Sequence, residues 1–164
     1  MKRNIILFIL GAVVVVVLDQ ITKTFISEKL FMYGSYKVID GFFNLVYTMN
    51  PGAAFGFLAG ASETFRYFFF ISISVLAMLL IIYYILKSKA QDLFIVISFT
   101  LIFGGAVGNL IDRIRFGAVV DFLDFYIGAW HWPAFNVADS AISIGAVLMI
   151  WEMILNRRKT SSSR

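Results

Sequence analysis

YFFFISISVLAMLLIIYYIL, residues 67–86, runs for 20 residues without a charge. At about 1.5 Å of rise per residue, a helix of that length spans about 30 Å, the thickness of a bilayer's hydrocarbon core. The stretch therefore reads as a transmembrane helix, and the rest of the chain follows suit. LFIVISFTLIFGGAVGNLI, 93–111, is a second run of 19 residues, and 137–155 is a third, broken only by Asp139 and Glu152. IILFILGAVVVVVL, 5–18, has only 14 residues, so its helix is expected to continue through DQITK to Lys23, putting Asp19 and Lys23 on one face, four residues apart.

Composition agrees. Of 164 residues 60% are hydrophobic and 15% charged, with a mean hydropathy of +0.87. A soluble domain of that make-up would expose large apolar patches. The fold class expected is an all-α integral membrane protein with four transmembrane helices, at about 5–23, 67–86, 93–111 and 137–155. It forms a single membrane-embedded unit over 1–164, with a basic tail at 156–164. MKRN followed by an apolar run also resembles a secretory signal peptide, but LDQITK follows where a small-x-small cleavage site would stand. An uncleaved anchor is expected. A lipoprotein's own signal would need a cysteine, and the chain has none.

The lack of cysteine further excludes disulfides, thiol nucleophiles and thiolate-held metals. The single histidine, His131, makes a His-based zinc site improbable. No metal and no cofactor are expected.

Orientation follows from lysine and arginine. Residues 1–4, 87–91 and 156–164 carry eight cations in 18 positions, against six in the 73 positions of 19–66 and 112–136. The positive-inside rule puts both termini in the cytoplasm and both long connections at the outer face. The basic C-terminal run is a topology signal and a contact for anionic lipids, not a nucleic-acid site.

The first outer connection, YKVIDGFFNLVYTMNPGAAFGFLAG at 36–60, alternates like a strand between Lys37 and Thr48 and breaks at Asn50-Pro51-Gly52. It predicts a small extracytoplasmic β element, then an interfacial helix or loop. The second, VVDFLDFYIGAWHWPAFNVADS at 119–140, sets Asp121, Asp124 and Asp139 among apolar residues. An unpaired carboxylate in hydrocarbon costs several kcal/mol, so these aspartates need a reason.

Four motifs fall at the outer face: DQITK (19–23), NPGAAFG (50–56), GGAVGNLIDR (104–113), and VVDF (119–122) with FNVADS (135–140). In this order and on these spans the chain resembles the lipoprotein signal peptidases, or type II signal peptidases, from about residue 5 to 155. Any one motif is weak; the ordered set is specific. The resemblance implies an intramembrane aspartic endopeptidase of the bacterial cytoplasmic membrane, working at its outer face. It would remove signal peptides from diacylglyceryl-modified prolipoproteins on the N-terminal side of the lipidated cysteine, and be blocked by globomycin-like cyclic peptides. It also implies that Asp121 and Asp139 are catalytic. Asn50, Gly52, Asn109, Arg113 and Asn136 would contact or support substrate, with Asp19 and Lys23 as further family positions.

The residues by themselves are less decisive. Two carboxylates sharing a proton can hydrolyse a peptide without metal, Cys or His, one drawing a proton from water while the other polarises the carbonyl. Asp121 and Asp139 come from separate elements that a loop can bring together. Yet Asp139 could simply cap the fourth helix, Asp124 reads as a solvated or supporting neighbour, and Asp19 with Lys23 reads as a structural ion pair. A helical turn at 121–124 would put Asp121 and Asp124 on one side, where either could face Asp139. Gly104 and Gly108 suggest close helix packing, and Trp130, His131 and Trp132 an interfacial aromatic belt. The competing functions are a small ion- or proton-coupled transporter, since intramembrane charges often mark transport paths, and a non-catalytic assembly subunit.

Overall fold

The computed structural model describes residues 2–52, 58, 60–87 and 92–162. Four helices dominate: α1 (Lys2–Lys29), α2 (Glu63–Lys87), α3 (Leu93–Phe116) and α4 (Val137–Ser162). Each is long and apolar enough to cross a membrane. Much of their surface is bare Leu, Ile, Val and Phe, such as Leu10, Val14, Leu80 and Val147, which only lipid would cover. Helix α1 extends beyond the expected end at Lys23 to Lys29. Helix α4 continues to Ser162, beyond the expected end of the fourth span at 155 and through most of the basic tail. The expected interfacial helix or loop falls largely on residues 53–57 and 59, which lie outside the described residues.

Helix α3 is central, packing against α1, α2 and α4. Aspartate opens it, with Asp92 accepting from the Phe94 N–H at 2.9 Å, and glycine closes it, with Gly117 at φ 71°. The small residues on its faces allow the close approach. A Cβ on Gly104 would meet Val15 of α1, one on Gly105 would meet the Ala138 carbonyl of α4, and one on Gly108 would lie 2.5 Å from Asp19 Oδ2. Helix α1 answers with a buried stripe of Phe8, Ala12, Val15, Asp19, Lys23 and Ile26, at spacings of three and four that keep one face toward α3. Toward the other membrane face Phe8, Ile81, Ile85 and Val96 form an apolar cluster.

Because the helices alternate in direction, the ends at Lys29, Glu63, Phe116 and Val137 share one membrane face, and a four-stranded antiparallel sheet lies there. Its order is β1 (Ser35–Ile39), β2 (Phe43–Asn50), β3 (Val119–Ile127) and β4 (Trp130–His131). The alternation read over 37–48 is thus a hairpin, turning at Gly41 with φ 75°. The second outer connection contributes a strand that the sequence reading treated as a loop. Strand geometry also removes the possibility of a helical turn at 121–124: three apart in β3, Asp121 and Asp124 point to opposite faces. After β4 the chain runs back along β3, with the Leu123 N–H donating to Phe135 O at 2.8 Å and the Trp132 N–H to Phe125 O at 2.8 Å. That return delivers Asn136 and the start of α4 beside Asp121.

Candidate active site

Asp121 sits mid-strand opposite Thr48 of β2, almost wholly buried at 1% exposure, and Asp139 lies in the first turn of α4. Three asparagines bind this pair of carboxylates. Asn136 Nδ2 donates to Asp121 Oδ1 at 2.7 Å, Asn50 Nδ2 to Asp121 Oδ2 at 2.9 Å, and Asn109 Nδ2 to Asp139 Oδ1 at 2.7 Å. Each amide is oriented by a group on its other side that can only donate. Asn136 Oδ1 accepts from the Asp139 N–H at 2.8 Å, Asn50 Oδ1 from the Gly52 N–H at 3.0 Å, and Asn109 Oδ1 from the Lys23 ammonium at 3.0 Å. The asparagines therefore have no freedom to flip, and all three aim an N–H at the pair. Asn136, not Asp139, holds the cap position of α4, so the capping alternative for Asp139 falls away.

Burial first and the Asp139 charge second push the Asp121 carboxyl up to about 7, against the amides of Asn50 and Asn136, which favour its charged form. Two carboxylates that feel each other where at least one is desolvated tend to keep one proton between them.

Beneath the pair lies an ion cluster. Lys23 Nζ is 2.8 Å from Asp19 Oδ2 and 2.8 Å from Asp112 Oδ2, all three side chains being buried. Gln20 Nε2 donates to Asp112 Oδ1 at 3.0 Å. The ion pair expected between Asp19 and Lys23 is present, but Asp112 and Gln20 escaped the sequence reading. A signal for Asp112 exists: Gly104, Gly108 and Asp112 step by four along the face of α3 that packs on α1. Removing one member of such a cluster leaves a buried unpaired charge and costs about 3–5 kcal/mol.

Arg113 lies over the Phe70 ring, 4.9 Å from its centroid, and its Nη2 reaches Gly52 O at 3.4 Å. Asp124, read as solvated or supporting, is 5% exposed and supports: Asn44 Nδ2 donates to Oδ2 at 3.0 Å and His131 Nδ1 meets Oδ1 at 2.8 Å. His131 also stacks on Tyr126, which places it in the sheet's framework as well as at the interface beside the exposed Trp130 and Trp132. All nine residues singled out from the motifs gather at this one end of the helices. The last four residues of NPGAAFG, 53–56, lie outside the described residues.

A cavity of about 550 Å³ opens on Asp139, lined by Asn50, Gly52, Asn109, Arg113 and Asp139 on its polar side. Ile142 and Ile144 of α4 and Trp132, Pro133 and Phe135 of the return segment form an apolar side. Such a space suits a chain that is apolar where it lies in lipid and has peptide groups to be bound where it emerges. Among the described residues no cluster of three or more His, Cys, Asp and Glu has the arrangement of a metal site.

The fold and site are those of a multi-pass membrane enzyme. A solved bacterial membrane enzyme, determined in meso at 2.3 Å, superposes with a TM-score of 0.82 at 37% identity, covering 96% of this chain and 91% of its own. A second, at 1.9 Å, gives 0.79 at 36% identity, covering 89% and 91%. The family described as Signal peptidase (SPase) II matches residues 11–155. The lipoprotein signal peptidase of Syntrophus aciditrophicus (strain SB) is 52% identical over 161 residues, 98% of this chain and 100% of its own length. That of Janthinobacterium sp. (strain Marseille) is 54% identical over 141 residues, 86% and 84%. The chain belongs to the signal peptidase II family, the lipoprotein signal peptidases. Nothing in these likenesses favours a transporter.

Proposed function

We propose that the chain is an aspartic peptidase whose catalytic pair is Asp121 and Asp139, cutting signal peptides from diacylglyceryl-modified prolipoproteins just before the lipidated cysteine. The observation that carries this reading is the convergence of two carboxylates, buried Asp121 from β3 and half-buried Asp139 from α4, under three amides that can only donate to them. The ionised member draws a proton from water, and the water oxygen attacks the scissile carbonyl. The protonated member donates its proton to the carbonyl oxygen; the member that took the proton from water then delivers it to the leaving nitrogen, and as the C–N bond breaks the tetrahedral hydroxyl returns its proton to the other carboxylate. Asp139 lines the cavity while Asp121 stands behind Asn50, so water and substrate approach from the Asp139 side. Arg113, Asn50 and Gly52 supply polar contacts for substrate backbone, and the apolar wall accepts the signal helix. The same site would take globomycin-like cyclic peptides, and surrounding lipid completes the walls.

The cation bias along the sequence supports a bacterial cytoplasmic membrane orientation with both termini inside and the sheet outside. The test is purified protein in detergent with matched precursors. The diacylglyceryl-modified form should be cut and the unlipidated form left largely intact. Equal cleavage of the two would contradict the substrate assignment, and cleavage of neither would contradict the reading altogether.

A further inference from the structure

We propose that Lys23 is a positioning residue for the carboxylate pair: its ammonium decides which end of the Asn109 amide faces Asp139, and through Asp19 and Asp112 it anchors the backbone that carries both aspartates. The proposal rests on the dyad reading above.

Three distances make the first half of the argument. Lys23 Nζ has three N–H groups and no acceptor, and its neighbours are Asp19 Oδ2 at 2.8 Å, Asp112 Oδ2 at 2.8 Å and Asn109 Oδ1 at 3.0 Å. The ammonium is fully used. Because it can only donate, the Asn109 oxygen must turn toward it, where the Asn136 amide also donates to that oxygen at 3.2 Å, and the amide nitrogen must then turn toward Asp139 Oδ1, at 2.7 Å. The opposite flip would set NH2 against NH3+ and a carbonyl against a carboxylate, two repulsive contacts at once. Asn109 thus always presents an N–H to Asp139 Oδ1, which favours ionised Asp139 and steers the shared proton away from that oxygen.

Two backbone bonds make the second half. The Val120 N–H donates to Asp112 Oδ2 at 3.1 Å, and the Ala138 N–H donates to Asp19 Oδ1 at 2.9 Å. These are the residues directly before Asp121 and Asp139. The two carboxylates that Lys23 holds therefore each fix the backbone next to one member of the pair, linking β3 and α4 through α1 and α3. Lys23 itself is 3% exposed and does not line the cavity. It acts on the reaction through Asn109, Asp19 and Asp112, without touching substrate. A cluster that only held the helices together would have no need to contact Asn109.

The experiment uses a charge-balanced pair of changes. Lys23→Met with Asp112→Asn removes one positive and one negative charge, so the cluster's formal charge is unchanged while the charged donor to Asn109 is gone and only the longer bond from the Asn136 amide is left. The expected result is a folded protein that melts below the parent, because Asp19 has lost its cation, with KM within about 3-fold, kcat lower by about 100-fold, and the acid limb of the kcat profile moved to higher pH, since Asp139, the ionised member, has lost its enforced donor. Lys23→Arg, which still only donates, should recover kcat to within about 10-fold of the parent. Turnover of the double variant within about 3-fold of the parent would overturn the proposal. So would a loss carried by KM with no movement of the pH profile, or failure of both variants to fold, which would make the cluster a folding element. Asp121→Asn and Asp139→Asn run alongside keep the two claims apart. If they are dead while the double variant is active, only the positioning role falls; if they are active, the dyad reading falls first.

Discussion

Asn50 and Asp121 are 71 residues apart in sequence and joined by a 2.9 Å hydrogen bond, the amide of one strand's end donating to a carboxylate buried in the next strand. The bond stabilises the charged form of Asp121 against the burial that opposes it. Asn50→Ala should therefore raise the proton affinity of Asp121 further, moving the alkaline limb of kcat to higher pH and lowering kcat about 10-fold. KM should rise as well, because Asn50 lines the cavity. A pH–rate profile decides it; an alkaline limb that stays in place would mean the bond does not act on the catalytic proton.

The same burial predicts a cost in stability. A carboxyl raised from 3.8 to about 7 on folding leaves stability intact below 3.8, erodes it as pH rises between the two values, and reaches its full penalty above 7, as much as about 4 kcal/mol. Asp121→Asn removes the ionisation. It should melt higher than the parent at pH 8, with the gap narrowing toward pH 5. Thermal denaturation in detergent at the two pH values measures this, and a gap that widens toward acid would reverse the sign of the argument.

Packing makes a separate prediction at Gly108. A Cβ there would lie 2.5 Å from Asp19 Oδ2 and 3.1 Å from its Cγ, so Gly108→Ala must displace a carboxylate that Lys23 and Ala138 both hold. The expected loss is about 1–3 kcal/mol of stability, with activity falling alongside, because the displaced groups lie under the pair. An unchanged Tm would mean that α1 and α3 are free to separate at this level.

The helices were legible because a run such as 67–86 has one physical solution, and the motif residues were legible because their order and span positions matched a family. What the sequence concealed has a physical reason in each case. In Asp121 to Phe125 the two carboxylates stand three apart, one on each face, and both faces of the strand are covered, so the usual division into wet and dry positions is missing. Asp124 reads as solvated because nothing nearby in sequence announces Asn44, 80 residues away, or the return of His131 to its side. Asp112 was hidden by its neighbour Arg113, which offers itself as a local partner; its true partner, Lys23, is on another helix. The orientations of the asparagine amides depend on three donors from three different elements, and no local pattern encodes that.

Chemistry without metal or thiol should leave the enzyme indifferent to the corresponding reagents. Precursor cleavage is expected to persist in EDTA and after treatment with a thiol alkylator, the chain having no cysteine to modify. Activity lost on chelation and restored by zinc would replace the carboxylate mechanism with a metal-assisted one.

The central claim is that Asp121 and Asp139, and not Asp124, carry the reaction, and side-by-side cleavage of a diacylglyceryl-modified precursor by the three asparagine variants tests it most directly. Asparagine keeps the size and removes the proton exchange. Asp121→Asn and Asp139→Asn should each fall by at least about 1,000-fold while remaining folded in the membrane. Asp124→Asn, whose partners Asn44 and His131 lie on the other face of β3, should retain a measurable fraction of activity. A dead Asp124→Asn beside an active Asp121→Asn would name the wrong carboxylate, and activity in all three would contradict the aspartic mechanism itself.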